Sequence, residues 1–325
     1  MRTLITTVPF GEQDRLPLDM LEAAGVDYVI NPLNRKLCED ELAGMVGEYD
    51  ILIAGTEPIT AKVMAQARRL KLISRVGIGL DSVDLLEAER REIKVSYTPD
   101  APAPAVAELT VGMMLTLLRH VHISNVQMHK GEWQRYFGRR LSECTVGIIG
   151  MGRIGSRVLK HISGFDCKRV LLNDIEPCDL KGQKLPIAWV EKEVIYKEAD
   201  LITLHLPLTG LTQNLIRQEQ LSMMKSDTIL INTARGGIIN EKDLFSTLKQ
   251  GHLSGAAIDV FEQEPYNGDL QQIERCLLTS HMGSMSVDCR TTMEIEATAE
   301  AIRFAKGEAL QGVVPVSEYA VQRGI

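Results

Sequence analysis

Arg235, Glu264 and His281 each follow a run that reads as a buried parallel strand, and in that order they supply a cation, a carboxylate and an imidazole. The runs are Thr228–Asn232, Ala256–Val260 and Cys276–Thr279. In open α/β sheets ligands bind outside the carboxyl ends of the strands, so reactive groups at successive strand ends can meet in one crevice. An imidazole exchanges protons near neutral pH, and a carboxylate bonded to it fixes its tautomer and favours its charged form. Pro265 removes the α region for the residue before it, so Glu264 is expected extended and aimed. A guanidinium fork binds a carboxylate, or polarises a carbonyl, in a planar and bidentate way. Taken alone, Glu264 and His281 fit a structural ion pair equally well. Arg235 turns the set toward proton transfer on a substrate that carries a carboxylate.

A second set lies upstream. Gly150-Met151-Gly152-Arg153-Ile154-Gly155 sits between a strand-like run, Thr145–Ile149, and a helix expected from Arg153, and a further strand, Arg169–Asn173, ends at Asp174. A glycine fingerprint is weak evidence by itself, but this strand, turn, helix and acid arrangement is the context it needs. Gly150 would make the tight turn, Gly152 would admit a pyrophosphate to the backbone, and Gly155 would let the helix pack close to the sheet. Asp174 would accept from ribose hydroxyls. Ile175-Glu176-Pro177 brings no arginine for a 2′-phosphate, so NAD is expected over NADP. Of the seven histidines only His205 and His281 fall at strand ends. His205 leads into Leu206-Pro207, a stiff turn better suited to walling a cofactor than to changing protonation state.

A third turn joins the strand Leu72–Ser74 to a helix expected to be capped near Ser82. Gly77, Ile78 and Gly79 there would expose backbone N–H groups as a small anion nest for a substrate carboxylate. Arg75, just before the nest, would meet a second anionic group on the substrate or pair with Glu57 or Asp84.

The elements that must position these residues are read from the alternation along the chain. Apolar runs alternate with helical stretches from Leu4 to Tyr97 and again from Thr145 to Thr279, the signature of parallel α/β sheets. Gly25 reads as a helix C-cap and Thr60 as an N-cap. The prolines at 99, 102 and 104 force extended backbone and mark a crossover, followed by a helix from Val106 to Arg119 and a Trp133-bearing arm or loop over residues 121 to 140. A helix over Thr292–Lys306, with Met293, Ala297, Ala301 and Phe304 on one stripe, returns to the first domain. The fold class is therefore α/β, two doubly wound parallel-sheet domains. A Rossmann cofactor domain, residues 99–288, is inserted in a smaller flavodoxin-like substrate domain, residues 1–98 and 289–325.

Composition sets the outer bounds. The 325 residues are 45% hydrophobic and 24% charged, with a net charge of -7 and a pI near 5.6. These values give no basic footprint for nucleic acid or anionic membrane. Val111–Leu118, the longest clean apolar run, is far short of a membrane span, and the N-terminus runs straight into a strand-like pattern, so a cytoplasmic protein is expected. Six cysteines at 38, 144, 167, 178, 276 and 289 show no C-x-x-C pair and no metal-ligand spacing. Reduced structural thiols and no metal are expected.

The motifs together make the chain similar to the D-isomer-specific 2-hydroxyacid dehydrogenases, in particular their phosphoglycerate dehydrogenase-like branch. They are Val76-Gly77-Ile78-Gly79-Leu80-Asp81-Ser82-Val83-Asp84, Ala105-Val106-Ala107-Glu108, the fingerprint at 150–155, Asn232-Thr233-Ala234-Arg235-Gly236-Gly237, Asp259-Val260-Phe261-Glu262-Gln263-Glu264-Pro265, and His281. The resemblance implies that Arg235 orients the substrate, Glu264 supports the histidine and His281 donates the proton in reduction. It also implies that Arg153, Ile154, Asp174, Thr233, Ala234 and Asp259 line the cofactor. His205, Pro207 and Gly283 are expected beside them. Ser280 departs from the family, which usually has proline before the histidine. The expected activity is NAD-dependent interconversion of a D-2-hydroxy acid and its 2-oxo acid, in a homodimer formed through the cofactor domain, with no nucleic-acid or membrane partner. An NAD-sensing corepressor-like binding protein on the same fold is the alternative. A partner-binding tail would favour it, and this sequence ends shortly past Pro315.

Overall fold

The computed structural model describes residues 1–177, 179–180 and 185–323, so Cys178 lies outside the described residues. The chain divides into two compact units, Met1–Pro102 with Met285–Ile325, and Ala103–Ser284.

The first unit is built on five parallel strands: β1 (Arg2–Ile5), β2 (Asp27–Ile30), β3 (Ile51–Ala54), β4 (Leu72–Arg75) and β5 (Lys94–Tyr97). Their order is β2-β1-β3-β4-β5, the flavodoxin-like winding. All four residues of β3 and of β4 are buried, as strands covered on both faces must be, and so they read as unbroken apolar runs. The helices between them carry local stop and start signals. Gly25 takes φ +67 just past the helix Leu16–Ala23, and the Thr60 side chain accepts the Val63 N–H to cap Ala61–Gln66. The cap of Leu85–Arg90 is Asp84, not Ser82: its carboxylate accepts the Glu87 N–H at 2.9 Å. A short acidic side chain two residues further on meets the orphan amides more directly.

The second unit holds seven parallel strands: β6 (Thr145–Ile149), β7 (Arg169–Asn173), β8 (Ile187–Trp189), β9 (Leu201–Leu204), β10 (Ile229–Asn232), β11 (Gly255–Ile258) and β12 (Cys276–Leu278). They lie in the order β12-β11-β10-β9-β6-β7-β8, so the winding reverses between β6 and β9. In β10 Ile229 and Ile231 join the core on one face and Leu230 the core on the other. That double burial explains why the strand shows no polar alternation.

Three helices differ from expectation. The helix after the crossover spans Ala103–Leu118 and includes Pro104. Proline is tolerated in a first turn, where its missing N–H has no partner to lose, so the prolines start this helix. Residues 121–140 are not all loop, because Val121–His129 is helical. The C-terminal helix starts at Val287, ahead of Thr292, and runs to Ala305. Met293, Ala297 and Ala301 are buried on its inner stripe, while Phe304 is only partly covered and carries the Lys94 ammonium over its ring. Within the first unit, Ser74 on β4 donates to the Ala297 carbonyl at 2.8 Å.

Candidate active site

The turn after β6 is shaped by backbone crowding. Gly150 has φ +96, and a Cβ there would stand 2.3 Å from the His205 carbonyl oxygen at the end of neighbouring β9. At Gly155 a Cβ would come within 2.0 Å of the Gly150 carbonyl oxygen. Both positions therefore exclude a side chain. Gly152 is different: nothing lies within 4 Å of a Cβ placed there, which leaves open space at the start of the helix Arg153–Ile162. A free helix N-terminus beside an open glycine is a cradle for a pyrophosphate. Arg153 is exposed, and Ile154 packs on the core.

Asp174, just past β7, accepts the Met151 N–H at 2.5 Å with one carboxylate oxygen and the Glu176 N–H at 3.1 Å with the other. It thus holds the fingerprint turn as well as standing where ribose hydroxyls could reach its remaining lone pairs. His205 lies across the reversal of strand order from the fingerprint. Its Nε2 is 3.0 Å from the Thr203 hydroxyl and its Nδ1 is buried. Burial lowers its pKa to about 3, so this ring is neutral near pH 7. The Pro207 carbonyl accepts the Thr212 hydroxyl at 2.6 Å.

The second half of the site stands at the ends of β10, β11 and β12. Asn232 closes the first loop, accepting the Ala234 N–H at 3.0 Å and donating to the Arg235 carbonyl at 2.8 Å. That Asx turn presents Arg235, whose Nη1 donates to the Ala234 carbonyl at 2.6 Å. Thr233 and Ala234 are buried, and the Thr233 hydroxyl is 2.9 Å from that of Thr110.

Asp259 follows β11 and is fully buried. One of its carboxylate oxygens accepts the Thr279 hydroxyl at 2.5 Å and the Met282 N–H at 2.7 Å, and the other accepts the Gly283 N–H at 2.8 Å. Its carbonyl accepts the His281 N–H at 2.8 Å. The loop 279–283 is therefore wrapped around Asp259. At its tip His281 has φ +53, and its Nδ1 lies 2.9 and 3.0 Å from the two Glu264 oxygens. One of those oxygens also accepts the Phe261 N–H at 3.2 Å, and the Glu264–Pro265 peptide is cis. Nearby, Glu241 accepts the Glu262 N–H at 2.7 Å. Burial pushes the Glu241 carboxyl pKa up, and the charges of Glu262 and Glu264 push it the same way.

In the first unit, the turn after β4 is only partly the nest its glycines suggest. Gly77 has φ +131, but its N–H donates to the Thr98 hydroxyl at 2.8 Å. The expectation that Gly77 offers its amide to a ligand is corrected: Thr98, at the end of neighbouring β5, already takes it. Ile78 and Gly79 keep backbone amides that no described residue accepts. Arg75 is buried and folds back so that Nη1 donates to the Val76 carbonyl.

Asn232, Thr279, Thr98 and Glu241 were not singled out by residue type. An asparagine two residues before a loop amide is the one signal among them that local turn chemistry could have supplied. No group of metal-ligating side chains occurs among the described residues.

Residues 111–283 match the family model described as D-isomer specific 2-hydroxyacid dehydrogenase, NAD binding domain. The hydroxypyruvate reductase of Thermotoga maritima is 35% identical over 265 residues, 79% of this chain and 85% of that protein. The D-3-phosphoglycerate dehydrogenase of Methanocaldococcus jannaschii is 34% identical over 320 residues, 97% of this chain but 59% of that protein. Among solved structures, the D-lactate dehydrogenase of Aquifex aeolicus, complexed with NAD and lactic acid, superposes with a TM-score of 0.84 at 26% identity, covering 94% of this chain and 96% of that one. The chain belongs to the D-isomer-specific 2-hydroxyacid dehydrogenase family. It is an NAD-dependent oxidoreductase, and the open cradle at Gly152 fits that nucleotide.

Proposed function

We propose that the enzyme interconverts a D-2-hydroxy acid and its 2-oxo acid, with His281 as the acid and base, Glu264 as its support and Arg235 as the group that orients the substrate. The observation that carries this reading is the 2.9 Å contact between His281 Nδ1 and Glu264, which leaves Nε2 for the substrate oxygen. When bound, the reduced nicotinamide supplies the hydride that reaches C2. The protein's residues do the rest. In reduction the protonated His281 ring gives its Nε2 proton to the carbonyl oxygen as that oxygen gains charge, and Glu264 stabilises the ring while it is charged. In oxidation the neutral ring takes the hydroxyl proton. Arg235 presents its guanidinium to the substrate carboxylate. In the first unit, the amides of Ile78 and Gly79, in the turn that Gly77 begins, are donors suited to an anion. Arg75 lends positive charge beside that turn. Gly150, Gly152 and Gly155 shape the dinucleotide cradle with Arg153 and Ile154, and Asp174 takes the ribose. His205, Pro207, Thr233, Ala234, Asp259 and Gly283 wall the nicotinamide end.

The substrate domain in this reading is the first unit and the cofactor domain the second. A cytoplasmic homodimer is part of the proposal. No single helix among the described residues is long and apolar enough to cross a membrane, and Cys38, Cys144, Cys167, Cys276 and Cys289 are all unbridged. For dimerisation the support is the arm after Val121–His129, where Trp133 is 77% and Phe137 100% exposed. Solvated aromatics of this size are enriched where a partner covers them.

The test is stereochemical. With NAD as oxidant, absorbance at 340 nm should rise with D-glycerate or D-lactate and stay flat with the L isomers. Equal rates on both isomers, or none on any 2-hydroxy acid, would overturn the proposal.

A further inference from the structure

Glu57 stands three residues past the end of β3, at the carboxyl edge of the first unit's sheet, and is 1% exposed. Its neighbours at that edge are Thr6 after β1 and Arg75 at the end of β4, because β1, β3 and β4 are adjacent and in register there. One carboxylate oxygen, Oε1, accepts the Thr6 hydroxyl and, at 3.0 Å, the Gly55 N–H. No hydrogen bond to the other, Oε2, is seen among the described residues. Arg290, which reaches the neighbouring Thr7, is committed to Glu294 at 2.6 Å. Buried carboxylates are ordinarily paired or fully hydrogen-bonded, and this one is half satisfied at the sheet edge where ligands bind.

The local backbone is arranged to keep it so. A Cβ on Gly55 would lie 2.8 Å from Glu57 Oε2 and 3.1 Å from Thr7 Cα and Cβ, so only glycine lets the Glu57 side chain fold back over the strand end.

We infer that Glu57 is a specificity-determining residue whose open oxygen receives a hydrogen-bond donor, a hydroxyl or a protonated nitrogen, carried by the substrate beyond its 2-hydroxy acid group. The inference rests on the proposed dehydrogenation of 2-hydroxy acids and adds the chemistry of the substrate's tail. A second anionic group on the substrate tail is disfavoured in this reading, since a buried carboxylate stands at that strand end. The inference also explains why Oε2 is left open by a chain that has satisfied Oε1 twice.

The experiment compares kcat/KM with NADH for matched 2-oxo acids in the wild-type enzyme and in Glu57→Gln. Hydroxypyruvate is set against 2-oxobutanoate, 4-hydroxy-2-oxobutanoate against 2-oxopentanoate, 5-guanidino-2-oxopentanoate against 2-oxooctanoate, and oxaloacetate serves as the anionic arm. At least one donor-bearing acid should exceed its apolar match by about tenfold to a hundredfold, the span of a charge-assisted bond, and oxaloacetate should be the poorest. The variant separates the sources. Glutamine can still accept from a hydroxyl, so a hydroxyl advantage should shrink only partly, whereas an advantage from a protonated nitrogen should vanish. Ratios of one across the wild-type pairs would overturn the inference and leave dehydrogenation standing. Equal losses on every substrate in Glu57→Gln would likewise overturn it, by making Glu57 a structural residue. Absence of activity on every 2-oxo acid would remove both proposals.

Discussion

The Asp259 carbonyl accepts the His281 N–H at 2.8 Å while its carboxylate binds the loop on both sides of that histidine. One buried residue thus fixes the backbone from which the proposed acid and base projects. Asp259→Asn should break this arrangement, because an amide nitrogen would face a backbone or hydroxyl donor. Each donor left unsatisfied costs about 1–3 kcal/mol. A lower melting temperature together with at least a tenfold fall in kcat is expected, read by calorimetry and steady-state kinetics. A variant with native kcat would show that the loop holds itself.

Glu264→Gln keeps the size of the side chain and removes its charge. The loss should fall on kcat more than on KM, by about tenfold to a thousandfold, since general acid and base catalysis contributes about 10²–10⁴. Stopped-flow single turnovers would report it. A change confined to KM would mean that Glu264 serves binding alone.

Asp174 predicts cofactor choice. Its carboxylate would meet a 2′-phosphate with like charge, so kcat/KM should favour NADH over NADPH by about a hundredfold or more, from roughly 3 kcal/mol of repulsion and lost hydrogen bonds. Asp174→Ser should narrow that ratio. Because Asp174 also holds the Met151 amide, the variant should weaken NADH binding as well, measurable by fluorescence titration.

His205 predicts an acid limb in stability. Burial depresses its folded pKa to about 3, against about 6.5 in the unfolded chain, so below pH 6.5 only the unfolded state takes up the proton. The contribution is fully present above pH 6.5 and is lost as pH falls toward 3, at up to about 1.4 kcal/mol per pH unit. Urea midpoints between pH 7 and 4 should fall less steeply in His205→Gln. Identical slopes would place the acid sensitivity elsewhere.

Trp133→Ser with Phe137→Ser should shift the protein toward monomer in sedimentation velocity, because two large exposed apolar side chains leave the proposed contact. An unchanged dimer would move the interface off this arm.

Periodicity carried the two sheets and fingerprint spacing carried the cofactor turn, because strands buried on both faces and glycines under steric constraint leave marks on residue type. His281 and Glu264 were found at strand ends and are paired at 2.9 Å. What residue type did not show was the use already made of a group within the fold. Gly77 reads as a free amide until Thr98 is seen to take it. Asp259 reads as a residue beside the cofactor, and residue type does not show that its carboxylate also holds its own loop. The short edge strand Ile187–Trp189 was not resolved as a separate element, since three residues give no usable period. The helices begin at Ala103 and Val287, ahead of the starts that periodicity predicts, because prolines and polar first turns look like loop when burial is unknown.

The left-handed backbone at His281, φ +53, restricts what evolution or an engineer can put in its place. Asparagine enters that region readily and β-branched residues do so only under strain. The variant that tests the proposed proton transfer is therefore His281→Asn, which keeps the loop's shape while removing the proposed donor. A valine or threonine at 281 would distort the loop that Asp259 holds, and any loss of activity would then say nothing about proton transfer.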